Sequence, residues 1–160
     1  MDLEWYFYAA TAAVFLLTGL TLKTLKTLKK LKKPEKLKSW RIAALAAYVF
    51  FIFAVTILSR SARGGNHFAP RPFWSWSEPQ LRQQILMNIV GFIPLGIIGA
   101  SLWKWKIIPV AAGISLLVEI IQLVTKTGLF ETDDVIHNTL GAVIGCGLFI
   151  LITTLIRRKK

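Results

Sequence analysis

The chain has 160 residues, of which 54% are hydrophobic, and it carries a net charge of +12 at pH 7. Its apolar residues lie in blocks about as long as a bilayer core, ~20 residues at ~1.5 Å rise each, instead of alternating as in a soluble domain. This composition excludes a soluble globular fold and predicts an integral membrane protein.

Five apolar blocks are long enough to cross a membrane. In chain order they are residues 3–22, 42–59, 85–103, 107–125 and 135–156. The connections leave no room for a soluble domain, so we predict an all-α, polytopic membrane bundle of five transmembrane helices. The predicted division is an N-terminal transmembrane helix with a basic extension (1–40), a membrane domain (41–156) and a basic tail (157–160).

Basic residues predict the orientation of this bundle. Residues 23–41 carry nine lysines and arginines against Glu35 alone, and the chain ends in residues 157–160, all basic. Because cytoplasmic segments are enriched in Lys and Arg, we expect the N-terminus outside and the C-terminus in the cytoplasm. The 23–41 segment is expected to contact anionic lipid. No nucleic-acid partner is predicted, since no aromatic residue interleaves the lysines of residues 20–33 to stack on bases.

The segment between the second and third spans, residues 60–84, is expected to lie outside, although it contains Arg60, Arg63 and Arg71. Near the outer leaflet, an arginine can hold a phosphate or carboxylate through two parallel hydrogen bonds. Arg60 and Arg71 are therefore candidate ligand-binding residues. Solvated arginines that extend toward the headgroups are the alternative.

Polar side chains within a transmembrane span are costly and are by default functional. The third span contains Asn88, the fourth Glu119 and Gln122, and the fifth Asn138. In the predicted orientation they lie at a similar depth, roughly 5–10 Å from the outer surface at ~1.5 Å per residue. We expect them to converge in one outward-facing pocket. For the amides, interhelical hydrogen bonds that only pack the bundle are the alternative.

Asp133 and Asp134 lie in the first turn of the fifth helix, just before its apolar span, where the helix dipole favours negative charge, so one of them can simply cap the helix. Asp134 shares a face with Asn138, and His137 lies close to that face. Asp134 opposite Glu119 would form a carboxylate pair suited to general acid and base chemistry. These carboxylates with His137 could instead hold a metal, but Asp-x-x-His spacing is weak evidence, and no metal or cofactor is predicted.

Three segments together resemble the VanZ-like family of bacterial membrane proteins: "NIVGFIPLG" (88–96), "EIIQ" (119–122) and "DDVIHNTLGAVIG" (133–145). The resemblance covers roughly residues 56–152. The matching positions are Asn88, Phe92, Pro94, Gly96, Glu119, Gln122, Asp134, Asn138, Gly141 and Gly145. The family usually has an arginine between the glutamine and the aspartate, whereas this chain reads "TKTGLFET" there, with Lys126 as the cation.

The resemblance implies a multi-pass protein of the bacterial plasma membrane linked to resistance to teicoplanin, a lipid-tailed glycopeptide. We expect a membrane lipid, a lipid-linked envelope precursor or a lipoglycopeptide as its partner. The candidate catalytic residues are Glu119 and Asp134, and the candidate binding residues are Arg60, Arg71, Asn88, Gln122, His137 and Asn138. The alternative is a noncatalytic accessory or transport protein whose polar layer packs helices or binds a ligand. No nucleophile is identified, so catalysis stays open.

Overall fold

A computed structural model of the chain describes residues 19, 34–58, 68–69, 72–128 and 130–158. The α-helices are α1 (Pro34–Phe53), α2 (Arg82–Trp103), α3 (Ile107–Thr125) and α4 (Thr132–Arg158). A π-helical turn, Ala54–Leu58, extends α1, and short 3-10 helices form at Trp74–Ser77, Pro79–Leu81 and Lys104–Lys106. Two strands, β1 (Phe68–Ala69) and β2 (Phe130–Glu131), pair in parallel.

Three helical stretches are long and apolar enough to cross a membrane: Glu35–Ile57, Pro79–Thr125 and Thr132–Arg158. The second is 47 residues long and contains both α2 and α3, with a backbone of positive φ (52°) at Lys104 between them. The predicted helical fold, with helices long and apolar enough to cross a membrane, is thus confirmed. Of the predicted first span only Gly19 is among the described residues, so the count of five spans stays a prediction.

The helices extend beyond the apolar blocks that predicted them. α1 begins at Pro34, eight residues before the predicted span at Ile42. Proline is favoured at the first helical position, because it has no N–H and its φ is already helical. The lysines and glutamate that follow are good helix formers, so the helix continues through polar sequence before it reaches apolar residues.

Hydrogen bonds between helices define their relative directions. The hydroxyl of Tyr48 donates to the carbonyl of Gly91 at 2.7 Å, and Arg41 Nη1 donates to the carbonyl of Ser101 at 3.0 Å, so α1 and α2 are antiparallel. Asn138 of α4 donates to the hydroxyl of Ser115 of α3 at 2.8 Å, and the N–H of Glu131, just before α4, donates to Glu119 of α3. Because the later residue of α3 contacts the earlier residue near α4, α3 and α4 are also antiparallel. The chain therefore reverses direction as successive spans require. The side of the membrane that each end faces stays a prediction.

Helices α2 and α4 run parallel and approach closely at glycines. A Cβ atom on Gly141 would overlap the carbonyl of Ile89, and one on Gly145 would overlap the carbonyl of Ile93. The G-x-x-x-G spacing thus removes side chains where the two backbones meet. Next to this contact lies the apolar core, formed from all four helices and including Leu45, Tyr48, Phe92, Leu95, Ile98, Val118 and Ala142.

The two ends of the bundle differ in charge. At the end where α1 begins and α2 and α4 terminate, the described residues are mainly basic: Lys36, Lys38, Arg41, Lys104, Lys106, Arg157 and Arg158, with Glu35. The opposite end collects most of the carboxylates: Glu78, Glu119, Glu131, Asp133 and Asp134, with Arg82 and Lys126. We call these the basic end and the acidic end. The basic end is the one that the sequence predicts to be cytoplasmic.

Candidate functional site

Four buried carboxylates lie at the acidic end. Glu119 of α3, Glu131 of β2, and Asp133 and Asp134 of α4 are each at most 7% exposed. A buried carboxylate is costly unless hydrogen bonds replace the water that it loses. The contacts of each carboxylate therefore define what this cluster does, and we call the four residues the carboxylate cluster.

Asp134 is held by two amides from α2. Asn88 donates from Nδ2 to Asp134 Oδ1 at 2.7 Å, and Gln84 Nε2 lies 3.4 Å from the same oxygen. Gln84 Nε2 is also 3.4 Å from Oε2 of Glu131. Because Gln84 and Asn88 are four residues apart, they share one face of α2. The structure thus brings together the predicted pair Asn88 and Asp134, and both amide side chains are only half-buried.

Glu119 connects α3 to the two-stranded sheet. Its carboxylate accepts the backbone N–H of Glu131 at 2.8 Å, and its side chain is 1% exposed. Glu131 in turn pairs with Ala69 of β1, in the segment between α1 and α2. Glu119 and Asp134, the predicted catalytic pair, are therefore linked through Glu131 and Gln84.

Two further amides connect α3 to its neighbours. Gln122 donates from Nε2 to the carbonyl of Thr56 at 3.2 Å, within the π-helical turn that extends α1. Asn138 donates from Nδ2 to the hydroxyl of Ser115 at 2.8 Å, joining α4 to α3. Gln122, Ser115 and Asn138 are all buried. The predicted polar layer therefore connects α1, α3 and α4.

Asp133 binds a segment from a distant part of the chain, not just its own helix. Its carboxylate accepts the backbone N–H groups of Phe73 and Ser75, the latter at 2.9 Å, and the Ser75 hydroxyl at 2.5 Å. Phe73 has a positive φ of 63°, which starts the 3-10 helix Trp74–Ser77. The sequence predicts that one of the two aspartates can cap the helix, whereas Asp133 also holds residues that lie 58 and 60 positions away in sequence.

His137, predicted to bind ligand, contacts the same segment. Its Nε2 accepts the indole N–H of Trp76 at 2.6 Å, and the two rings are nearly parallel, with centroids 6.1 Å apart. Trp76 is 60% exposed, while His137 is 1% exposed. We call residues 73–76, held by Asp133 and His137, the tethered segment. It fixes the backbone immediately before α2 to the start of α4.

Two buried polar atoms have no hydrogen-bond partner among the described residues at this end. They are Oδ1 of Asn138 and Nδ1 of His137. Buried polar atoms are nearly always paired with protein or water. These atoms are thus positions where a water molecule or a polar group of a ligand could bind.

The remaining predicted positions fall elsewhere. Arg60 and Arg71 lie outside the described residues. Lys126 follows the last turn of α3 with a positive φ of 55°, and its side chain is exposed. Within the part of the chain that the structure describes, no group of three or more His, Cys, Asp or Glu residues is arranged to hold a metal ion.

Sequence reasoning missed Glu131, Gln84 and Ser75. Gln84 could have been found, because it precedes Asn88 by one turn and so lies on the same face of α2. Glu131 and Ser75 had no such signal. Each lies in a short element outside the α-helices, and each acquires its role from a contact with a different part of the chain.

These features define a helical membrane protein with a hydrogen-bonded carboxylate cluster built by three elements at one end of the bundle. The sequence model of the VanZ/LLP1 family matches residues 40–153. The chain therefore belongs to the VanZ/LLP1 family, as its motifs predicted, and the matched range includes the whole carboxylate cluster. Comparisons with curated proteins and with solved structures gave no match.

Proposed function

We propose that this protein acts at the outer face of the bacterial plasma membrane, on the polar head of an amphiphile of the cell envelope. This action would lower susceptibility to the lipid-tailed glycopeptide teicoplanin. Membership of the VanZ/LLP1 family supports the link to glycopeptide resistance. The observation that carries the proposal is the carboxylate cluster, because buried ionisable groups in a membrane protein are by default functional.

In this proposal Glu119 and Asp134 contact the polar head, as acid and base or as hydrogen-bond acceptors. Asn88 and Gln84 hold the Asp134 carboxylate in position and, being half-buried, mark the side from which the head would enter. The unpartnered oxygen of Asn138 would accept a hydrogen bond from the head. Arg60 and Arg71 are proposed to hold a phosphate group of the same ligand.

The test compares Glu119→Gln and Asp134→Asn with the unaltered protein in bacteria that express each at a matched level. We expect both variants to lose protection against teicoplanin, because each retains size and hydrogen-bonding capacity but loses the charge. Glu78→Gln is the matched control, since Glu78 is at the same end but outside the cluster. Susceptibility to vancomycin is measured in parallel, to separate the lipid-linked effect from a general one.

Equal protection by all the variants would remove the carboxylates from the mechanism. Loss of protection by Glu78→Gln as well would indicate a general effect of charge at this end. Extraction in mild detergent followed by size-exclusion chromatography shows whether each variant is folded, so a folding defect is not mistaken for loss of function.

The noncatalytic alternative has its own supporting observation. Gln122 and Asn138 bond to other helices, which is what a structural role requires. Mass spectrometry of envelope lipids from the same strains distinguishes the two. A modified lipid that depends on Glu119 supports chemistry, whereas protection without any such species supports binding or an accessory role.

A further inference from the structure

An apolar groove lies between α1 and α3 at the basic end, away from the carboxylate cluster. Its volume is about 530 Å³, within the range of ~300–1,000 Å³ typical of ligand pockets. Its walls include Ile42, Ala46, Val49 and Phe53 of α1, together with Trp103 and Val110. The described residues of the wall include no charged side chain, so the part of a ligand that contacts them must be apolar.

The groove is as long as one leaflet of a bilayer. Ile42 and Phe53 are eleven residues apart on α1, which is ~16 Å at ~1.5 Å per residue. The hydrocarbon core of a bilayer is ~30 Å thick, so one leaflet accounts for about half of that. A transmembrane helix of a second copy would need a groove of roughly twice this length. An acyl chain from one leaflet fits it.

The mouth of the groove is basic. Lys38 lies one helical turn before Ile42 on the same face of α1. Lys104 and Lys106 belong to the 3-10 turn that connects Trp103 to Ile107. All three lysines are exposed. Arg41 is fixed beside them by its 3.0 Å bond to the Ser101 carbonyl. Trp103 is 44% exposed, as expected for an aromatic residue at a membrane interface.

We propose that this groove binds one acyl chain of an anionic phospholipid in the leaflet at the basic end, with its phosphate held by Lys38, Lys104 and Lys106. Basic pockets between transmembrane helices are typical sites for such headgroups. The site is separate from the carboxylate cluster and does not rest on the function proposed for it. It shares only Lys38 and Arg41 with the basic segment 23–41.

Native mass spectrometry of the full chain in detergent, with added phosphatidylglycerol or phosphatidylcholine, tests the proposal. Ala46→Trp fills the groove, and Ala47→Trp is its control, since Ala47 is equally exposed but does not line the groove. We expect the unaltered protein and Ala47→Trp to retain phosphatidylglycerol over phosphatidylcholine, and Ala46→Trp to lose that preference. The exposed position of Ala46 allows the larger side chain without disturbing the core.

A second pair of variants tests the headgroup contact. Lys104→Gln with Lys106→Gln is expected to weaken retention of phosphatidylglycerol about fivefold for each lysine removed. Arg157→Gln with Arg158→Gln removes the same charge at the same end, but on α4 and not at the mouth. This control is expected to change retention by less than twofold.

Three results would overturn the proposal. Equal retention by Ala46→Trp and Ala47→Trp would mean that no lipid chain occupies the groove. Equal loss in the lysine and arginine pairs would mean that lipid is attracted only to the basic surface. Unchanged lipid retention with a smaller oligomer in Ala46→Trp would assign the groove to a second copy of the chain.

Discussion

Asn88 on α2 donates a hydrogen bond from its side-chain amide to the carboxylate of Asp134 on α4, with 2.7 Å between Nδ2 and Oδ1. Further along the same two helices, Gly141 and Gly145 lie against the backbone carbonyls of Ile89 and Ile93. The glycine contact sets how far apart α2 and α4 can be. It thereby holds the amide and the carboxylate at hydrogen-bonding distance.

Replacing Asn88 with alanine is expected to destabilise the protein by about 2 kcal/mol, because a hydrogen bond to a buried carboxylate is lost. The measurement is the free energy of unfolding from a denaturant titration in detergent, followed by circular dichroism. Gln83→Ala, at an exposed position on the same helix, is expected to change stability by under about 0.5 kcal/mol. Equal stability of the two variants would contradict a structural role for the Asn88–Asp134 bond.

Gly145→Val is expected to lower the stability of the bundle by about 1–3 kcal/mol or more, because the added side chain must displace the backbone of α2. Gly147 is a matched control on the same helix, since a Cβ there meets nothing within 4 Å. Gly147→Val is expected to be tolerated. The free energy of unfolding of both variants is measured in the same assay. An equal decrease in Gly145→Val and Gly147→Val would show that helix propensity, not packing, causes the loss of stability.

Asp133→Asn is expected to release the tethered segment without unfolding the bundle. The two carboxylate oxygens accept separately, Oδ1 from the N–H of Phe73 and Oδ2 from the N–H and hydroxyl of Ser75. An asparagine keeps only one acceptor oxygen, and its NH2 group, which cannot accept, must face the N–H of either Phe73 or Ser75. Losing a charged bond of about 1.5–3 kcal/mol predicts faster hydrogen exchange at these two amides, by roughly tenfold or more. Amides in the middle of α3 are the internal reference, and faster exchange there as well would indicate global destabilisation instead.

The orientation of the bundle is tested by cysteine labelling in intact cells. Gln83→Cys, exposed near the acidic end, is expected to react with a membrane-impermeant reagent, and Lys106→Cys only after the cells are permeabilised. The native Cys146 is buried and gives a low background. Labelling of intact cells at position 106 and not at position 83 would show that the bundle has the opposite orientation.

Much of the candidate site could be predicted from single residues. Asn88, Glu119, Gln122 and Asn138 are conspicuous because a polar group in an apolar span is costly, and the alternation of spans brings them to the same end. Whether they share one ligand pocket stays a prediction. The contacts of Asp133 could not be predicted, because helix capping explains an aspartate at this position equally well.

The sequence by itself determined that the chain forms apolar helices of membrane length, that Gly141 and Gly145 share one face of α4, and which end is basic. These properties follow from local composition and from periodicity along one helix. Only the tertiary structure decided that β1 pairs with β2, that Glu119 accepts the N–H of Glu131, and that Asp133 holds residues 73–75. Each of these contacts satisfies backbone groups of short elements outside the α-helices, and the partner that supplies the hydrogen bond depends on how the α-helices are arranged.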